Sequence, residues 1–232
     1  MSINHAIFFD FNGVLAHKNS DQEALIAKYF NIDGSTLDSF LSKIIYQSPL
    51  IDLWREIRDV ESEKRYLNKY GEIVLEHFNL PVNEENINKI IELKFTNIFT
   101  LPDDVIPTLE KLSKYFKIGI LTNSRPSRRT VEISRMGLDK YCDPDLIIIS
   151  REVGYDKPDK RIYELAIGRT GVDPKNIVFC DNKVEYLQAA KECGIKELIL
   201  FSGNNEEYFC VDRFSQILDH TFIDNIISGS NP

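Results

Sequence analysis

The chain is short of positive charge and contains no long apolar run. Its 28 Lys and Arg residues face 36 Asp and Glu residues among 232 positions, which gives a formal net charge of −8. Nucleic-acid binders need a basic face for the phosphate backbone, so this balance argues against that class of partner but permits a local positive pocket. No apolar run approaches the roughly 18 residues that a membrane-spanning helix needs. We therefore expect neither a nucleic-acid partner nor a membrane partner.

Cysteine is also scarce, and its pattern is uninformative for metals or disulfides. The four cysteines, Cys142, Cys180, Cys193 and Cys210, share no CxxC spacing and are too few for a disulfide framework. Free cysteines are among the most buried residue types, so we expect reduced, mostly buried thiols. The opening stretch MSINHAIFFDFNGVL has an acidic residue in its apolar part and no basic residue ahead of it, unlike a signal peptide. These features predict a cytoplasmic protein.

Five short runs of nearly continuous apolar residues predict β-strands. Strands buried on both faces of a parallel sheet have this pattern. The predicted strands are Ala6–Phe11, Ile118–Thr122, Leu146–Ile149, Ile177–Cys180 and Leu198–Phe201. Helical patterns at 104–115, 126–136, 159–170 and 183–193 separate the later strands. This alternation predicts an α/β fold with a doubly wound, Rossmann-like parallel sheet as its core.

The segment between the first two strands has a different character. It offers helical patterns at 21–30, 35–46, 50–58, 62–78 and 84–98, with few strand candidates. We therefore predict an all-helical cap domain over residues 17–99, inserted into a catalytic core made of residues 1–16 and 100–232. Ligands of open α/β sheets bind at the carboxyl ends of the strands, and we expect the insert to lie above those ends.

Polar residues stand where four of the predicted strands end. Asp10 follows the first strand, Thr122 and Asn123 end the second, Lys157 comes after the third, and Asp181 with Asn182 ends the fourth. A carboxylate at the tip of a buried strand is costly unless it faces a functional crevice. The four positions in one sheet therefore predict a single shared pocket.

Together these segments resemble the four ordered motifs of the haloacid dehalogenase superfamily. The quoted matches are DFNGVL at residues 10–15, LTNS at residues 121–124, Lys157-Pro158 and Asp181-Asn182. The helical insert resembles the cap of the phosphatase-like and dehalogenase-like members. This resemblance implies a hydrolase, most simply an Mg²⁺-dependent phosphatase that acts on a small phosphorylated metabolite.

The resemblance also implies roles for individual residues. Asp10 would be the nucleophile that forms an aspartyl-phosphate, with Lys157 and Mg²⁺ neutralising the charge of the substrate. Thr122 and Asn123 would hydrogen-bond the phosphoryl oxygens. The metal ligands would be Asp10, the Asn12 carbonyl, Asp181 and Asn182.

Two basic or titratable side chains are weaker candidates for contact with the substrate. Arg125 lies three positions after Thr122 and would attract an anion; its alternative is a solvated helix face. His17, in the loop that leads to the insert, is the histidine placed to substitute for a missing acid; its alternative is a solvated loop residue.

Asn12 and Asn182 depart from the pattern, because phosphatases of this superfamily usually carry Asp at both positions. An Asp at position 12 would protonate the leaving group, which contributes about 10²–10⁴-fold in general acid–base catalysis, and an amide has no such proton. Asn12 thus belongs to a slow natural enzyme, to a catalytically inactive protein that binds phosphorylated ligands, or to a deliberate Asp→Asn exchange. A metal-independent 2-haloacid dehalogenase and a phosphomutase also stay open. The sequence predicts neither the substrate nor the oligomeric state.

Overall fold

A computed structural model describes residues 3–18, 22–96 and 99–229, apart from the side chains of Arg129 and Thr130. The chain divides into two compact units. The first comprises Met1–His17, Leu101–Ser124 and Arg128–Pro232, and the second comprises Lys18–Thr100 together with Arg125–Ser127. The three residues Arg125–Ser127 therefore group with the second unit, although they come from the middle of the sequence of the first.

The described residues contain eight β-strands. They are β1 (Ala6–Phe9), β2 (His17–Lys18), β3 (Phe99–Thr100), β4 (Lys117–Thr122), β5 (Ile147–Ile149), β6 (Ile177–Asp181), β7 (Glu197–Phe201) and β8 (Phe209–Val211). Six of them form one sheet in the order β5-β4-β1-β6-β7-β8, and its paired strands are parallel. Strands β2 and β3 form a separate two-stranded sheet. The predicted Rossmann-like α/β core is confirmed.

The same residues contain ten α-helices. They are α1 (Gln22–Phe30), α2 (Gly34–Ile44), α3 (Leu50–Glu56), α4 (Val60–His77), α5 (Glu84–Phe95), α6 (Val105–Leu112), α7 (Ser150–Val153), α8 (Lys160–Thr170), α9 (Val184–Glu192) and α10 (Thr221–Ser228). Helices α1 to α5 belong to the second unit, and the others belong to the first. None of the described helices is both long enough and apolar enough to cross a bilayer.

The register of the central strands places several strand ends at one level. Phe9 of β1 is paired with Ile120 of β4 and with Cys180 of β6. Asp10 directly follows Phe9 and the end of β1, Asp181 follows Cys180 and ends β6, and Thr122 ends β4 two positions after Ile120. Because parallel strands end at the same edge of a sheet, this register brings Asp10 and Asp181 to neighbouring positions.

A continuous apolar core holds this sheet against its helices. Strand residues such as Phe8 and Phe179 pack with Tyr163 of α8 and Leu187 of α9, and all four are almost completely buried. This is the burial on both faces that the unbroken apolar runs of the sequence predict.

Two local predictions differ from the structure. Residues 126–136 were expected to form an α-helix, but Arg128–Ile133 is π-helical. The stretch contains the β-branched residues Val131 and Ile133, which have a lower α-helix propensity. The edge strand β8 was not predicted, because its three residues are too few to show a periodicity.

The helical unit has capped helices and an apolar core of its own. Asp33 caps α2, Asn83 caps α5, and Asp59 forms a capping box with Ser62 at the start of α4. The core residues of this unit with no exposed surface are Ile26, Leu37, Ile57, Tyr70, Val74, Leu75 and Ile90. The five predicted helices match α1–α5, except that Asp21, Asn97 and Ile98 lie outside the described residues.

Candidate active site

The centre of the site is a buried ammonium group between two carboxylates. Lys157 Nζ donates to Asp10 Oδ1 at 2.8 Å and to Asp181 Oδ2 at 2.5 Å. The side chains of Lys157 and Asp181 have no exposed surface, while that of Asp10 is 11% exposed. Asp10 is therefore the more exposed of the two carboxylates in this three-residue cluster, and Lys157 balances part of its charge.

Burial and charge act against each other in this cluster. Burial raises the pKa of Asp181, although the neighbouring Lys157 ammonium opposes that shift. For Lys157, burial alone would lower the pKa, but the Asp10 and Asp181 carboxylates outweigh it and raise the pKa above its usual value. Lys157 therefore stays protonated at neutral pH. The cluster holds one positive and two negative groups, which leaves a net negative charge for a cation or a protonated group to balance.

Lys157 is held in place through its backbone and through its ammonium group. The Asn123 side chain accepts a hydrogen bond from Lys157 N–H at 2.7 Å and donates one to the Lys157 carbonyl at 2.8 Å. The ammonium also lies 4.9 Å from the ring centre of Tyr186 and 5.5 Å from that of Phe179. Tyr186 Oη in turn accepts hydrogen bonds from Asn123 at 3.3 Å and from Lys183 Nζ at 3.2 Å.

The turn after Asp10 depends on a glycine. Gly13 has φ of +88°, a conformation that other residues rarely adopt. Its N–H donates to the Ala16 carbonyl at 2.8 Å, and Ala16 N–H donates to the Phe11 carbonyl at 2.9 Å. A Cβ at position 13 would lie 2.3 Å from Asn182 Nδ2. The turn leaves the neighbouring Asn12 side chain exposed beside Asp10.

The donors needed for Mg²⁺ are present, although with few charges. No cluster of three His, Cys, Asp or Glu side chains that could hold a metal occurs within residues 3–18, 22–96 and 99–229. The oxygen donors at this edge of the sheet are the Asp10 carboxylate, the Asn12 carbonyl and the Asn182 amide, whose Nδ2 lies 3.4 Å from that carbonyl. Rotating the amide would present its oxygen instead. Since Mg²⁺ takes oxygen ligands and usually only one or two protein carboxylates, these residues fit it.

Of the other candidates, Thr122 lies in this region, and two side chains are engaged elsewhere. Thr122 ends β4 and is 3% exposed. Arg125 pairs with Glu63 at 3.1 Å and lies over the Phe95 ring at 4.6 Å, both within the helical unit. His17 is exposed on β2, and its ring centre lies 6.3 Å from that of Phe201. It borders a cavity of about 250 Å³ that is also lined by Asp103, Asp104 and Arg213.

Comparison with known proteins identifies the family. The sequence profile of the haloacid dehalogenase-like hydrolases matches residues 5–194. The chain belongs to this family. A glyceraldehyde 3-phosphate phosphatase of Methanothermobacter thermautotrophicus is 27% identical to this hydrolase over 222 residues, which cover 87% of this chain and 96% of the relative. A phosphorylated carbohydrates phosphatase of Thermotoga maritima is 32% identical over 200 residues, which cover 83% of each chain.

Solved structures show the same fold. The hydrolase superposes on a 2-haloacid dehalogenase of Pseudomonas syringae with a TM-score of 0.67, and the match covers 93% of this chain and 96% of the other. The two sequences are 17% identical, so this likeness concerns the fold. The family and the fold expected from the four motifs are both confirmed.

The structure of this hydrolase shows two sets of contacts that the motifs did not indicate, one beside Lys157 and the other within the helical unit. Tyr186 packs on Lys157 from the first turn of α9, four positions after Asn182. Glu63 accepts hydrogen bonds from Ser127 N–H at 2.9 Å and from Ser127 Oγ at 2.7 Å, besides its pair with Arg125. For Tyr186 the sequence gives a signal, namely an aromatic residue just after the fourth motif. For Glu63 the sequence gives no signal, because this residue resembles any acid in the first turn of a helix.

Proposed function

We propose that this hydrolase is a phosphatase that cleaves a small phosphorylated metabolite through an aspartyl-phosphate on Asp10. The observation that carries the proposal is the placement of Lys157 Nζ, 2.8 Å from Asp10 Oδ1 in a buried position. A carboxylate nucleophile needs a neighbouring cation to remain ionised and to approach a negatively charged phosphate. The two phosphatase relatives support the same chemistry.

The first step is a displacement at phosphorus. An oxygen of the Asp10 carboxylate attacks, the new Asp10–phosphorus bond forms, and the bond from phosphorus to the leaving oxygen breaks with its electron pair. Lys157 offsets the negative charge as the phosphoryl group approaches. The Thr122 hydroxyl and the backbone N–H groups that follow β4 would hydrogen-bond the phosphoryl oxygens. The leaving oxygen takes a proton, which completes the alcohol product.

The second step releases phosphate. Water attacks phosphorus, the bond to Asp10 breaks, and the Asp10 carboxylate is regenerated with inorganic phosphate as the product. In both steps the Asn123 and Tyr186 contacts hold the Lys157 ammonium beside Asp10. Asn123, which the sequence assigns to the phosphoryl oxygens, thereby contributes by positioning Lys157.

Mg²⁺ would be held by the Asp10 carboxylate, the Asn12 carbonyl and the Asn182 amide, with Asp181 alongside. When bound, it supplies a second positive charge for the phosphoryl oxygens. Asp181 is already bonded to Lys157 Nζ and to the backbone N–H of Lys183, at 2.5 and 3.0 Å. It therefore contributes mainly through its charge.

Asn12 explains why the proposed turnover is slow. Its amide has no proton to give to the leaving oxygen, and it cannot draw a proton from the attacking water. Its side chain is exposed, so solvent water takes over both transfers. The reaction is then fastest on substrates whose leaving group is already a weak base.

The partners and the cellular location of the protein belong to the same proposal. The phosphorylated substrate is a small molecule, and the net charge of −8 disfavours nucleic acid as a partner. We place the protein in the cytoplasm; the four free cysteines, of which Cys142 and Cys180 are buried, support a reducing compartment.

The test is phosphate release from a panel of phosphorylated metabolites, with Mg²⁺ and with EDTA. The chain is compared with Asp10→Asn and Asn12→Asp variants, and each variant is checked for folding by circular dichroism. We expect Mg²⁺-dependent release that Asp10→Asn abolishes and that Asn12→Asp raises about 10²–10⁴-fold. If neither the chain nor Asn12→Asp releases phosphate, the phosphatase proposal fails. Halide release from 2-haloacids without Mg²⁺ would instead establish a dehalogenase.

A further inference from the structure

A second ammonium group lies beside the Lys157 cluster. Lys183 comes two positions after the end of β6 and is exposed. Its Nζ donates to Tyr186 Oη at 3.2 Å and lies 4.8 Å from the centre of the Tyr186 ring. Lys157 Nζ lies 4.9 Å from the same ring centre, so the two ammonium groups share one aromatic neighbour. Lys183 thus adds a positive charge close to the proposed phosphate site.

The Lys183 ammonium lies at the edge of the sheet that carries this site. Tyr186 Oη, which accepts from Lys183, also accepts from Asn123 Nδ2 at 3.3 Å. Asn123 follows the end of β4 and is exposed, as are Asn12 beyond β1 and Asn182 beyond β6. The exposed side chains that follow these three strands are therefore uncharged amides, and Lys183 brings a cation next to them.

No carboxylate neutralises the charge of Lys183 in the described part of the chain. There, the hydrogen-bond partner of its Nζ is the Tyr186 hydroxyl, and no acidic side chain lies within salt-bridge distance. Glu185 comes two positions later, and side chains at that spacing do not face each other on a helix. The charge of Lys157, by contrast, is shared between two carboxylates. Lys183 can therefore offset a second anionic group.

Lys183 keeps its charge at neutral pH and is held in position. The hydrogen bond to Tyr186 raises the pKa of Lys183 above its usual value. The backbone N–H of Lys183 donates to Asp181 Oδ1 at 3.0 Å, which fixes the residue against the end of β6. Because the side chain is already held by Tyr186, it loses less conformational freedom when it binds an anion than a freely moving lysine does.

We propose that Lys183 selects phosphorylated metabolites that carry a second anionic group, such as a carboxylate, on the alcohol part of the molecule. The phosphate lies at Asp10 and Lys157, and the second anionic group pairs with the Lys183 ammonium. Complementary charge of this kind favours one ligand over another of the same shape. The inference rests on the proposed function for the position of the phosphate, and it adds a class of substrate to that function.

The test compares the binding of two phosphate esters. Glycerol 3-phosphate and 3-phosphoglycerate carry the same primary phosphate on a chain of the same length, but only 3-phosphoglycerate has a carboxylate. Each is titrated calorimetrically, with Mg²⁺, into the full-length Asp10→Asn variant, which cannot form the aspartyl-phosphate. The measured quantity is the ratio of the two dissociation constants. We expect 3-phosphoglycerate to bind about fivefold more tightly, which corresponds to one ion pair of about 1 kcal/mol.

Substitutions in this background assign the preference to one charge. Lys183→Met should make the two affinities equal within about twofold, whereas Lys183→Arg keeps the charge and should keep most of the preference. Lys175→Met is the matched control. It removes the same charge from an exposed lysine that precedes β6 instead of following it, and it should leave the ratio unchanged.

Each outcome supports the proposal or overturns it. Loss of the preference in Lys183→Met, with Lys175→Met unchanged, supports selection of a second anionic group. An equal loss of affinity for both esters would show that Lys183 binds the phosphate or supports Tyr186, and it would overturn the proposal. An unchanged ratio in Lys183→Met, or the absence of any preference or binding before Lys183 is replaced, overturns it as well.

The proposed phosphatase function is judged by a separate measurement. Phosphate release from both esters is followed with the chain that retains Asp10 and with its Asn12→Asp variant. Selective binding without release from either protein would contradict the phosphatase function and leave the selectivity of Lys183 standing. Release from both esters without a preference that depends on Lys183 would contradict the selectivity alone.

Discussion

The Asn123 side-chain amide forms two hydrogen bonds with the backbone of Lys157, accepting from its N–H at 2.7 Å and donating to its carbonyl at 2.8 Å. Thirty-four positions separate the two residues along the chain. The amide fixes the segment after β5 against the end of β4, and with it the direction from which the lysine side chain approaches Asp10. Asn123 is thus a positioning residue for Lys157.

We expect Asn123→Leu to lower kcat about 10²-fold, since a misplacement of about 1 Å near the reacting atoms costs that much. If Asn123 acts by positioning Lys157 and not by contacting the substrate, KM should change little. Steady-state kinetics on the fastest phosphorylated substrate measures both constants. Tyr186→Phe is the matched control: it removes the hydroxyl that contacts Asn123 but keeps the ring beside Lys157, and it should lower kcat less than fivefold.

A direct substrate contact predicts the reverse pattern for Asn123→Leu. In that case KM would rise while kcat stayed near its original value. Asn123→Asp further distinguishes positioning from substrate contact, because this variant keeps an acceptor for Lys157 N–H and loses only the donor to the Lys157 carbonyl. An Asp variant with intermediate kcat supports positioning.

The sequence predicts those parts of the site that depend on strand ends. Asp10, Thr122 and Asp181 each follow an apolar run, so their convergence follows from the parallel sheet alone. The contacts of Asn123 and Glu63 are set by side-chain direction and by loops distant in sequence. A motif fixes which residue is present, but the partner of a polar side chain depends on tertiary packing. For this reason the sequence names Arg125 as a candidate for substrate contact but does not indicate its pair with Glu63.

Removal of the Lys157 ammonium should destabilise the protein when no metal is bound. Lys157→Met leaves Asp10 and Asp181 together without their shared cation, and breaking a buried pair costs about 3–5 kcal/mol. The measurement is the free energy of urea unfolding in EDTA. Lys160→Met is the control, because its pair with Glu192 at 2.9 Å is exposed, and it should leave the unfolding midpoint unchanged.

A double variant tests the cause of this loss. Adding Asp181→Asn to Lys157→Met removes one of the two uncompensated charges, so the double variant should be more stable than Lys157→Met alone. An additive loss in the double variant would show that Lys157 stabilises the fold by packing rather than by charge.

Gly13→Ala should reduce both stability and activity. A left-handed conformation costs a residue with Cβ roughly 1–2 kcal/mol, and the new Cβ would also displace Asn182 from its place beside the Asn12 carbonyl. Gly171→Ala is a matched control, because φ is +64° there and a Cβ would meet nothing within 4 Å. Both variants should unfold at lower urea, but only Gly13→Ala should lower kcat. Equal kcat values for the two variants would contradict a role for this turn in the site.

Glu63→Gln should loosen the attachment of Arg125–Ser127 to α4. Glu63 is 2% exposed and is the counterion of the buried Arg125 guanidinium, and its oxygens also accept both Ser127 hydrogen bonds. Loss of its charge leaves Arg125 uncompensated, at a cost of about 3–5 kcal/mol. Hydrogen–deuterium exchange should therefore rise at the amides of Arg125 and Ser127 and in the first turn of α4.

The control for this prediction is Glu72→Gln, also on α4. Glu72 pairs with Lys69 at 2.9 Å where both side chains are more than one-third exposed, and such pairs contribute little. Its exchange pattern should match that of the original chain. Arg125→Met in the Glu63→Gln background removes the uncompensated cation and should recover part of the lost stability. If instead Glu63→Gln and Glu72→Gln exchange alike, the buried pair does not anchor this segment. The grouping of Arg125–Ser127 with the helical unit then rests on other contacts, such as the cation–π contact of Arg125 with the Phe95 ring.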